Sequence, residues 1–474
     1  MESMRKLETA KRLILLGLAG IGLLLETLVF YYCWMTNFSP SITQLTGVPY
    51  YYRVSLLEVA LYAVILYFLS NMYGGFRIGF LKNAEVVFSQ VFATLAANVI
   101  IYIELSIMAK QFFVLKMFLI MTVCQILIAM IWTSIAQRIY RSIFPPRRLL
   151  LIHGDRDIQG ILGKFAGRKD KYTITSCLNI SAGMGALEKE ILTGLEGNPY
   201  EGVIIWDIST KERNVVLKFC YGHSIRVYTM PKITDVILFG AEELHLFDTP
   251  ILLTREYSLT LEQRFAKRLI DIICSAILLI IASPIMLITA ILIKAYDGGS
   301  VLYKQIRCTK DCREFEIMKF RSMRTDAEKD GVARLAQKND DRITPIGKFI
   351  RKVRIDELPQ LINILRGDMS FIGPRPERPQ IIDQYMEVMP EFAYRMKVKA
   401  GLAGYAQVYG KYNTTPYDKL KLDLIYIENY SLWMDIQLML LTLKILFWPD
   451  STEGVESEQI TALKAELKQK EDRE

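Results

Sequence analysis

The chain has 474 residues, of which 51% are hydrophobic and 23% are charged, and its mean hydropathy is +0.22. This composition excludes a disordered chain, a collagen-like fibre and a small disulfide scaffold. The net charge of +8 suits a membrane surface or a phosphate-bearing ligand and does not by itself indicate nucleic-acid binding. The seven cysteines, an odd number scattered along the chain, indicate reduced thiols.

Four apolar stretches precede residue 150, and each is close to the roughly 20 residues that cross a bilayer. They lie at about 13–35, 55–73, 86–108 and 113–136. Basic residues collect before the first stretch, between the second and third, and after the fourth, so the positive-inside rule puts both ends of this block in the cytoplasm. We predict a transmembrane bundle of four helices over 1–140. Glu26, Glu58 and Glu104 mark either a proton path or interfacial and paired positions.

Short β-rich runs alternate with helical stretches between 147 and 250, which predicts a parallel sheet with covering helices. The candidate strands are Leu149–His153, Thr173–Leu178, Gly202–Trp206 and Ile225–Thr229. Neither His153-Gly154-Asp155 nor Gly183-x-Gly185 completes a Gly-x-Gly-x-x-Gly fingerprint. For the segment 147–250 we therefore predict a Rossmann-like domain without an intact dinucleotide site. The alternative is a domain with a degenerate nucleotide pocket.

A fifth apolar stretch, at about 269–293, has Ser283-Pro284 near its middle. Proline removes a backbone donor and clashes with the preceding turn, so a helix here must kink or break. Basic residues flank both ends, and a helix that enters one leaflet and returns would keep both flanks in the cytoplasm. We predict an amphipathic linker and a re-entrant membrane helix over 251–298, with an ordinary kinked span as the alternative.

The candidate chemistry lies in 299–450, where Arg, Lys, Asp, Pro and Gly are frequent. Lys319 and Arg321, at i and i+2, would point to one face of a strand and could hold a diphosphate, although such a pair is usually a solvated surface. In Gly373-Pro-Arg-Pro-Glu377, two prolines would hold Arg375 ready for bidentate phosphate contact, or simply expose it on a rigid loop.

Asp356-Glu357 precedes Pro359, and Gly367 lies downstream, which indicates a helix start with Asp356 near the N-cap. Capping is the simpler interpretation. The same position attracts phosphate, and a carboxylate there, with Mg²⁺, could attack phosphorus and form an acyl phosphate.

Glycines recur further along, at 401, 404 and 410, and indicate close backbone approach to a ligand or a neighbouring helix. Asp423 and Tyr426 follow on one helix face.

As a set, in order and spacing over about 250–450, these motifs resemble a bacterial sugar transferase family. Its members are the polyprenyl-phosphate hexose-1-phosphate transferases, or monotopic phosphoglycosyl transferases. The resemblance begins at Lys267-Arg-Leu-Ile-Asp271 and implies a re-entrant membrane helix followed by a mostly α-helical α/β monotopic catalytic domain over 299–450, before a polar tail over 451–474. The N-terminal helices and Rossmann-like segment resemble the large members that start exopolysaccharide, capsule or O-antigen synthesis.

The resemblance implies that hexose-1-phosphate passes from UDP-hexose, with glucose or galactose as the hexose, to undecaprenyl phosphate, with release of UMP. Asp356 would be the nucleophile that carries the phospho-sugar, and Glu357 would assist through Mg²⁺ or proton handling. Both carboxylates would hold the metal. The substrate phosphates would be bound by Lys319, Arg321, Arg375 and Arg378. Asp423 and Asp435 would be further acidic candidates, and Ser283-Pro284 would be the break of the re-entrant helix.

The resemblance also implies a homodimer in the bacterial inner membrane, with its active site at the cytoplasmic face in contact with membrane lipid and with no nucleic-acid partner. One departure leaves a turn geometry and the sugar preference open. Thr309 and Cys312 stand where the family commonly has glycine.

Two rival functions stay open. A membrane-anchored NAD-dependent nucleotide-sugar dehydratase or epimerase needs a glycine-rich NAD loop and a helical Tyr-x-x-x-Lys pair. Tyr228…Lys232 contains Pro231, and Tyr417…Lys421 has no such loop nearby. The other rival is a non-enzymatic membrane scaffold or sensor.

Overall fold

A computed structural model of the chain describes residues 2–49, 51–155, 158–196, 200–246, 248–254, 259–324, 342–410 and 414–446. The chain divides into two compact units, Met1–Met230 and Pro231–Glu474. The predicted polar tail over 451–474 lies outside the described residues.

Apolar helices form the first part of the first unit. They are α1 (Glu2–Cys33), continued by a π-helical turn (Trp34–Phe38) into α2 (Ser39–Thr46), then α3 (Tyr52–Tyr73), α4 (Asn83–Met108) and α5 (Leu115–Ile143). Within the described ranges, five helical stretches are long and apolar enough to cross a membrane, and four of them precede residue 150. The apolar stretches are helical because a helix satisfies every backbone polar group within one segment, as a hydrocarbon environment requires.

A buried polar cluster joins these helices. Thr94 of α4 donates to the Glu26 carboxylate of α1 at 2.6 Å, and Glu26 is only 2% exposed. Gln125 of α5 donates through Nε2 to the Glu26 carbonyl at 3.1 Å and to the Tyr62 hydroxyl of α3 at 2.7 Å. Asn98 of α4 donates to Gln125 Oε1 at 2.9 Å. Glu26 is therefore paired between helices, and interhelical hydrogen bonds of this kind hold such helices together.

A parallel sheet follows in the first unit. Its strands are β1 (Arg147–His153), β2 (Tyr172–Asn179), β3 (Gly202–Trp206) and β4 (Val227–Thr229), and their spatial order is β2-β1-β3-β4. The helices are α6 (Gln159–Ala166), α7 (Met184–Glu196) and α8 (Thr210–Gly222). Ile161 of α6 packs on one face, and Leu187 of α7 and Val216 of α8 pack on the other. The predicted parallel sheet with covering helices is confirmed, and its Rossmann-like character stays a prediction.

The second unit begins with α9 (Ile233–Phe239) and an antiparallel hairpin of β5 (Glu242–Leu246) and β6 (Thr249–Leu253). Val236 of α9 is buried in the same core as Leu420 and Leu424. The contacts thus group residues from 231 onward with the second unit, whereas the sequence pattern assigned everything up to 250 to the middle domain. A local pattern shows that a segment is helical and does not show which core it joins.

The helix α10 (Leu261–Asp297) is 37 residues long and is the fifth candidate membrane span. It continues through Pro284, so the structure shows no interruption where the sequence predicted a break. The Ser283 hydroxyl donates to the Ile280 carbonyl at 2.8 Å. Pro284 has no N–H to offer that carbonyl, and the serine supplies the missing donor. The re-entrant path of this helix stays a prediction.

The rest of the second unit is mostly helical, as predicted. Its strands are β7 (Leu302–Cys308) and β8 (Glu314–Phe320), an antiparallel hairpin, and β9 (Ser370–Ile372) and β10 (Gly401–Ala403), a parallel pair. Its helices are α11 (Pro345–Lys352), α12 (Gln360–Arg366), α13 (Pro379–Val388), α14 (Tyr405–Tyr409), α15 (Pro416–Glu428) and α16 (Leu432–Leu446), with a 3₁₀ segment at Pro390–Lys397.

Polar contacts fix α10 to this helical region. Asp271 accepts hydrogen bonds from the Ser370 hydroxyl at 3.0 Å and the Phe371 amide at 2.9 Å, both on β9. Arg268 donates to two carbonyls in the last turn of α12, at 2.6 and 2.7 Å. The Ile364 carbonyl also accepts from the amide of the C-cap residue Gly367, and Arg268 supplies a side-chain donor to both carbonyls at this helix end.

Asn363 connects α12 to the edge of β8. Its side chain donates to the Glu316 carbonyl at 2.8 Å and accepts from the Met318 amide at 3.0 Å. The side chain thereby replaces a neighbouring strand. These two bonds hold the chain that leads into α12 beside the end of β8.

Candidate active site

Asp356 and Glu357 lie in a 3₁₀ turn, Ile355–Glu357, between α11 and α12. Arg354, just before it, has a left-handed φ of 57°. The amides of Glu357 and Leu358 bond three residues back, so α-helical bonding starts only with α12, whose N-cap is Pro359. Asp356 is therefore near the N-cap of that helix, as predicted, but it lies three residues before the N-cap and does not cap the helix.

Glu357 is the centre of an ion-pair cluster. Its Oε1 accepts from Lys319 Nζ at 2.9 Å and from Arg375 Nη2 at 3.0 Å, and its Oε2 lies 3.8 Å from Arg354 Nη1. The Glu357 side chain is 12% exposed, whereas that of Arg375 is 42% exposed. Charge-assisted bonds to a sheltered carboxylate are stronger than those at an open surface. Glu357 thus gathers cations from β8, from the 3₁₀ turn and from the loop before α13.

The two neighbouring carboxyl groups ionise differently. Burial raises the pKa of Asp356 to about 6, and repulsion from Glu357 adds to that shift. Burial also acts to raise the pKa of Glu357, but attraction to Lys319 and Arg375 outweighs it and holds that pKa well below its ordinary value. Glu357 is therefore a permanent anion at neutral pH, and Asp356 changes charge near pH 6.

The Asp356 carboxylate keeps its lone pairs available. Within the described part of the chain, no group donates a hydrogen bond to it or forms a close ion pair with it. Lys319, Arg351 and Arg354 act on it electrostatically at longer range. A half-buried carboxylate near cations that are bonded to another carboxylate can act as a nucleophile toward a substrate that those cations attract.

The predicted phosphate-binding cations occupy different places. Lys319 and Arg375 both reach Glu357. Arg321 is 8% exposed, and a Cβ on Gly299 would overlap its guanidinium, so Arg321 packs against the chain just after α10. Arg321 follows the last residue of β8, and the alternation of a strand no longer sets its direction there.

Arg378 is half-buried at the N-cap of α13. It acts electrostatically on Arg307, whose pKa burial lowers to about 10. No contact between Arg378 and the Asp356–Glu357 turn occurs within the described residues. Among the described contacts, two of the four predicted cations therefore meet Glu357, whereas Arg321 and Arg378 do not.

Asp423 and Asp435 each belong to a separate buried ion pair. Asp423 Oδ2 lies 2.8 Å from Arg395 Nη2, and Asp435 Oδ2 lies 2.6 Å from Lys267 Nζ. Among the described contacts, neither carboxylate touches Asp356. Their partners satisfy them, and this favours a structural role over direct participation in chemistry.

The glycines of the motif region serve contact between two backbones. A Cβ on Gly401 or Gly404 would overlap the backbone of Gly373, and the Gly401 amide donates to the Pro374 carbonyl at 2.9 Å. The close approach that the sequence predicted is thus to the loop that carries Arg375. Only glycine leaves room for it.

The turn that departs from the family pattern is accommodated in two ways. Thr309 is extended, and its hydroxyl donates to the Asp368 carbonyl at 2.9 Å and accepts from the Ala400 amide at 3.1 Å. Cys312 has a φ of 56°, which favours glycine and costs a cysteine about 1 kcal/mol. The threonine therefore adds contacts that glycine could not make.

Two arginines of this region were not predicted as site residues from the sequence. Arg395 carries a buried guanidinium, and Arg354 stands beside the nucleophile candidate with a left-handed backbone. Arg354 lies two residues before Asp356, so proximity could have singled it out. Arg395 lies 28 residues from its partner Asp423, and no local pattern marks that pair.

A divalent cation fits this site only together with a substrate. No group of three or more His, Cys, Asp or Glu side chains gathers within the described residues. At the turn, Asp356 offers a free carboxylate, but one oxygen of Glu357 already accepts from two cations. Mg²⁺ commonly binds through one or two carboxylates plus substrate phosphates, and that ligand set suits this arrangement.

Comparison with known proteins gives a consistent result for the second unit. A profile of the family described as bacterial sugar transferase matches residues 262–449. A UDP-N-acetylgalactosamine-undecaprenyl-phosphate N-acetylgalactosaminephosphotransferase of Aeromonas hydrophila is 45% identical over 185 residues, which are 38% of this chain and 44% of the relative. A UDP-glucose:undecaprenyl-phosphate glucose-1-phosphate transferase of Caulobacter vibrioides is 38% identical over 190 residues, 39% of this chain and 71% of the relative.

The similarity to a third relative is longer. An undecaprenyl-phosphate galactose phosphotransferase of Salmonella typhimurium is 32% identical over 280 residues, 52% of this chain and 58% of the relative. The chain spans less than half the length of the Aeromonas relative. The names of the three relatives carry three different sugars, and all three name undecaprenyl phosphate as a substrate.

Proposed function

Because the chain belongs to the bacterial sugar transferase family, we propose that it transfers hexose-1-phosphate from a UDP-hexose to undecaprenyl phosphate and releases UMP. One observation carries the assignment to this site. Asp356 presents an unbonded carboxylate beside Glu357, which holds Lys319 and Arg375 in place. The relatives' names widen the candidate sugars from glucose and galactose to include N-acetylgalactosamine.

The proposed reaction has two displacements at one phosphorus. A carboxylate oxygen of Asp356 attacks the sugar-bearing phosphorus of the UDP-hexose, the bond to the bridging oxygen breaks, and UMP leaves with that oxygen and its electron pair. A phosphate oxygen of undecaprenyl phosphate then attacks the acyl phosphate. The Asp356–phosphorus bond breaks, and the carboxylate is regenerated. Lys319 and Arg375 stand where they can neutralise the diphosphate during both steps.

The experiment that tests this function is a UMP-release assay on the purified full-length chain. UDP-glucose, UDP-galactose and UDP-N-acetylgalactosamine are each supplied with and without undecaprenyl phosphate. We expect UMP release with one of them that depends on the lipid phosphate, and without lipid an intact-protein mass increase of one hexose phosphate. Lack of UMP release with all three sugars would reject the function, and bound nicotinamide cofactor would favour the dehydratase alternative.

The pH dependence should report the ionisation of Asp356. The nucleophile must be ionised, and burial raises the pKa of Asp356 to about 6, so we expect kcat/KM to fall as the pH drops through about 6. In Glu357→Gln the loss of the neighbouring negative charge lowers the pKa of Asp356, and the acid limb should move to lower pH. The two acid limbs are measured by pH–rate profiles of UMP release, one for the unmodified chain and one for Glu357→Gln.

The matched control for that profile is Glu316→Gln. Glu316 is a 61% exposed glutamate on β8 that pairs only with Lys304 among the described contacts of its side chain. This variant should keep the acid limb of the unmodified chain. An acid limb near pH 4 in the unmodified chain would contradict the assignment to Asp356. So would an acid limb that does not shift in Glu357→Gln.

We also propose that Mg²⁺ binds with the sugar nucleotide, held by Asp356 and Glu357, where it would offset charge on the diphosphate. Four cations already surround the two carboxylates, so Mg²⁺ alone should bind weakly. We expect EDTA to stop UMP release and calorimetry to show tight Mg²⁺ binding only when UDP-hexose is present. Full turnover in EDTA would refute the metal requirement.

Location and assembly complete the proposal. The basic flanks of the apolar stretches support a bacterial inner-membrane protein with its active site at the cytoplasmic face. The five long apolar helices support the membrane part of this assignment. A homodimer rests on the family resemblance alone, and mass photometry of the solubilised chain measures it.

A further inference from the structure

The loop that carries Arg375 is held by its carbonyl groups. Four consecutive carbonyls, those of residues 374–377, each accept a hydrogen bond from outside the loop. The donors, in that order, are the Gly401 amide at 2.9 Å, Arg395 Nη2 at 3.1 Å, Arg307 Nη1 at 3.2 Å and the Cys308 amide at 3.0 Å. Two of the four donors are arginine side chains, so the side chains of distant residues set the path of this loop.

The loop has few backbone donors of its own with which to form internal hydrogen bonds. Pro374 and Pro376 have no backbone N–H, and only Arg375 and Glu377 could donate within the segment. A rigid loop in this position therefore needs external donors. The backbone is fixed, whereas the Arg375 side chain is 42% exposed, so a phosphate can approach the guanidinium that Glu357 holds.

Arg395 is the more deeply buried of the two arginine donors. Its side chain is 6% exposed, and that of its partner Asp423 is 2% exposed. Asp423 Oδ2 accepts from Arg395 Nε at 3.0 Å and lies 2.8 Å from Nη2, the same nitrogen that donates to the Arg375 carbonyl. The carboxylate therefore orients the guanidinium, and the guanidinium orients the loop.

Stability alone gives little reason for such a pair. Two charges removed from water are costly, and apolar side chains of similar size often serve a core equally well. Burial raises the pKa of Asp423 despite the attraction of Arg395, which reflects that cost. What an apolar pair could not supply is the hydrogen bond to the Arg375 carbonyl.

We propose that Arg395 and Asp423 are positioning residues, which hold the backbone of Arg375 so that its guanidinium meets the diphosphate of the sugar nucleotide at Asp356. This inference rests on the proposed function. It assigns Asp423 an indirect role, through Arg395 and Arg375, in place of the direct acidic role that the sequence suggested.

The test is the double variant Arg395→Met with Asp423→Leu, which removes both charges together. We expect kcat/KM for UMP release to fall roughly 100-fold, as misplacement by about 1 Å can cause, while the melting temperature stays within about 4 °C. Arg313→Met, which removes a 62% exposed arginine from the same unit, is the control and should leave kcat/KM unchanged.

A second measurement separates positioning from general structural support. In an Arg375→Ala background the same two substitutions should lower the remaining activity less than threefold, because the group that they position is gone. A merely structural pair would cost the same factor in both backgrounds. That result, or a double variant with activity within threefold of the unmodified chain, would overturn the proposal.

Hydrogen exchange makes the result independent of turnover. The amides of Gly401 and Cys308, which donate to the Pro374 and Glu377 carbonyls, should exchange faster in the double variant, with exchange in β8 and α12 unchanged. If the unmodified chain releases no UMP with any sugar nucleotide, the proposed function fails, and the exchange data still decide whether the pair holds the loop. Unchanged exchange at both amides would reject it.

If the double variant does not fold, Arg395→Lys takes its place. Lysine keeps a cation for Asp423, but its single ammonium cannot reproduce the fork between that carboxylate and the Arg375 carbonyl. The same loss of kcat/KM and the same faster exchange are expected, and full activity in this variant would overturn the proposal.

Discussion

Asp356→Asn should lower UMP release by about 10⁴-fold or more, because an amide cannot form the acyl phosphate on which both displacements depend. The mass increase of one hexose phosphate after incubation with UDP-hexose should also disappear. Both are measured on the purified chain, by UMP release and by intact-protein mass spectrometry. A variant that turns over within tenfold of the unmodified chain would refute the nucleophile assignment.

The same variant should remain folded. Burial raises the pKa of Asp356 to about 6, so the ionised carboxylate disfavours the folded state at pH values above that pKa. A neutral amide removes this cost, roughly 1–2 kcal/mol for a partly exposed group, and the melting temperature at pH 8 should rise by a few degrees. Asp311→Asn is the matched control, since its side chain is 76% exposed and asparagine tolerates its φ of 56°.

Asp435→Asn should destabilise the second unit by about 3–5 kcal/mol, which corresponds to roughly 10 °C in melting temperature. Asp435 is 3% exposed and accepts from Lys267 at 2.6 Å, Tyr426 at 2.7 Å and Tyr430 at 3.1 Å. Burial and the Asp435 charge raise the pKa values of both tyrosines, so their hydroxyls stay protonated and donate. Asparagine would remove the ion pair of the buried Lys267 ammonium and leave it the longer-range attraction of Asp271.

Glu316→Gln is the comparison for this prediction. Its pair with Lys304 has a similar length, 2.9 Å, but the two side chains are 61% and 53% exposed. Water screens such a pair, and its loss should change stability by less than about 1 kcal/mol. Thermal unfolding of the two variants in the same detergent measures the difference. Equal shifts would show that burial does not strengthen the Lys267–Asp435 pair.

The location of the membrane helices and of the parallel sheet could be read from the sequence. An unbroken apolar stretch must be helical to satisfy its backbone in hydrocarbon, and apolar runs such as Leu149–His153 and Gly202–Trp206 suit central strands. Both signals depend on residues that are neighbours along the chain. The sequence also showed the proline in α10, but not that the helix continues through it or that the Ser283 hydroxyl donates to the Ile280 carbonyl.

In the candidate site, too, some features could be predicted from the sequence and others only from the structure. The sequence indicated Asp356, Glu357, Lys319 and Arg375 by their motifs, and the structure brings the last three together. The sequence did not show that Asp356 lies in a 3₁₀ turn. The left-handed backbone of Arg354, which precedes the turn, is not indicated by the residue type at that position.

By itself, the sequence determined that the long apolar stretches are helices, that strands and helices alternate over 147–229, and which residue types are available for phosphate chemistry. Only the tertiary structure decided which cation meets which carboxylate: Lys319 is 38 residues from Glu357, Arg375 is 18, and Arg395 is 28 from Asp423. The physical reason is that local patterns act through backbone geometry over a few residues, whereas an ion pair forms wherever packing leaves two opposite charges a few ångströms apart.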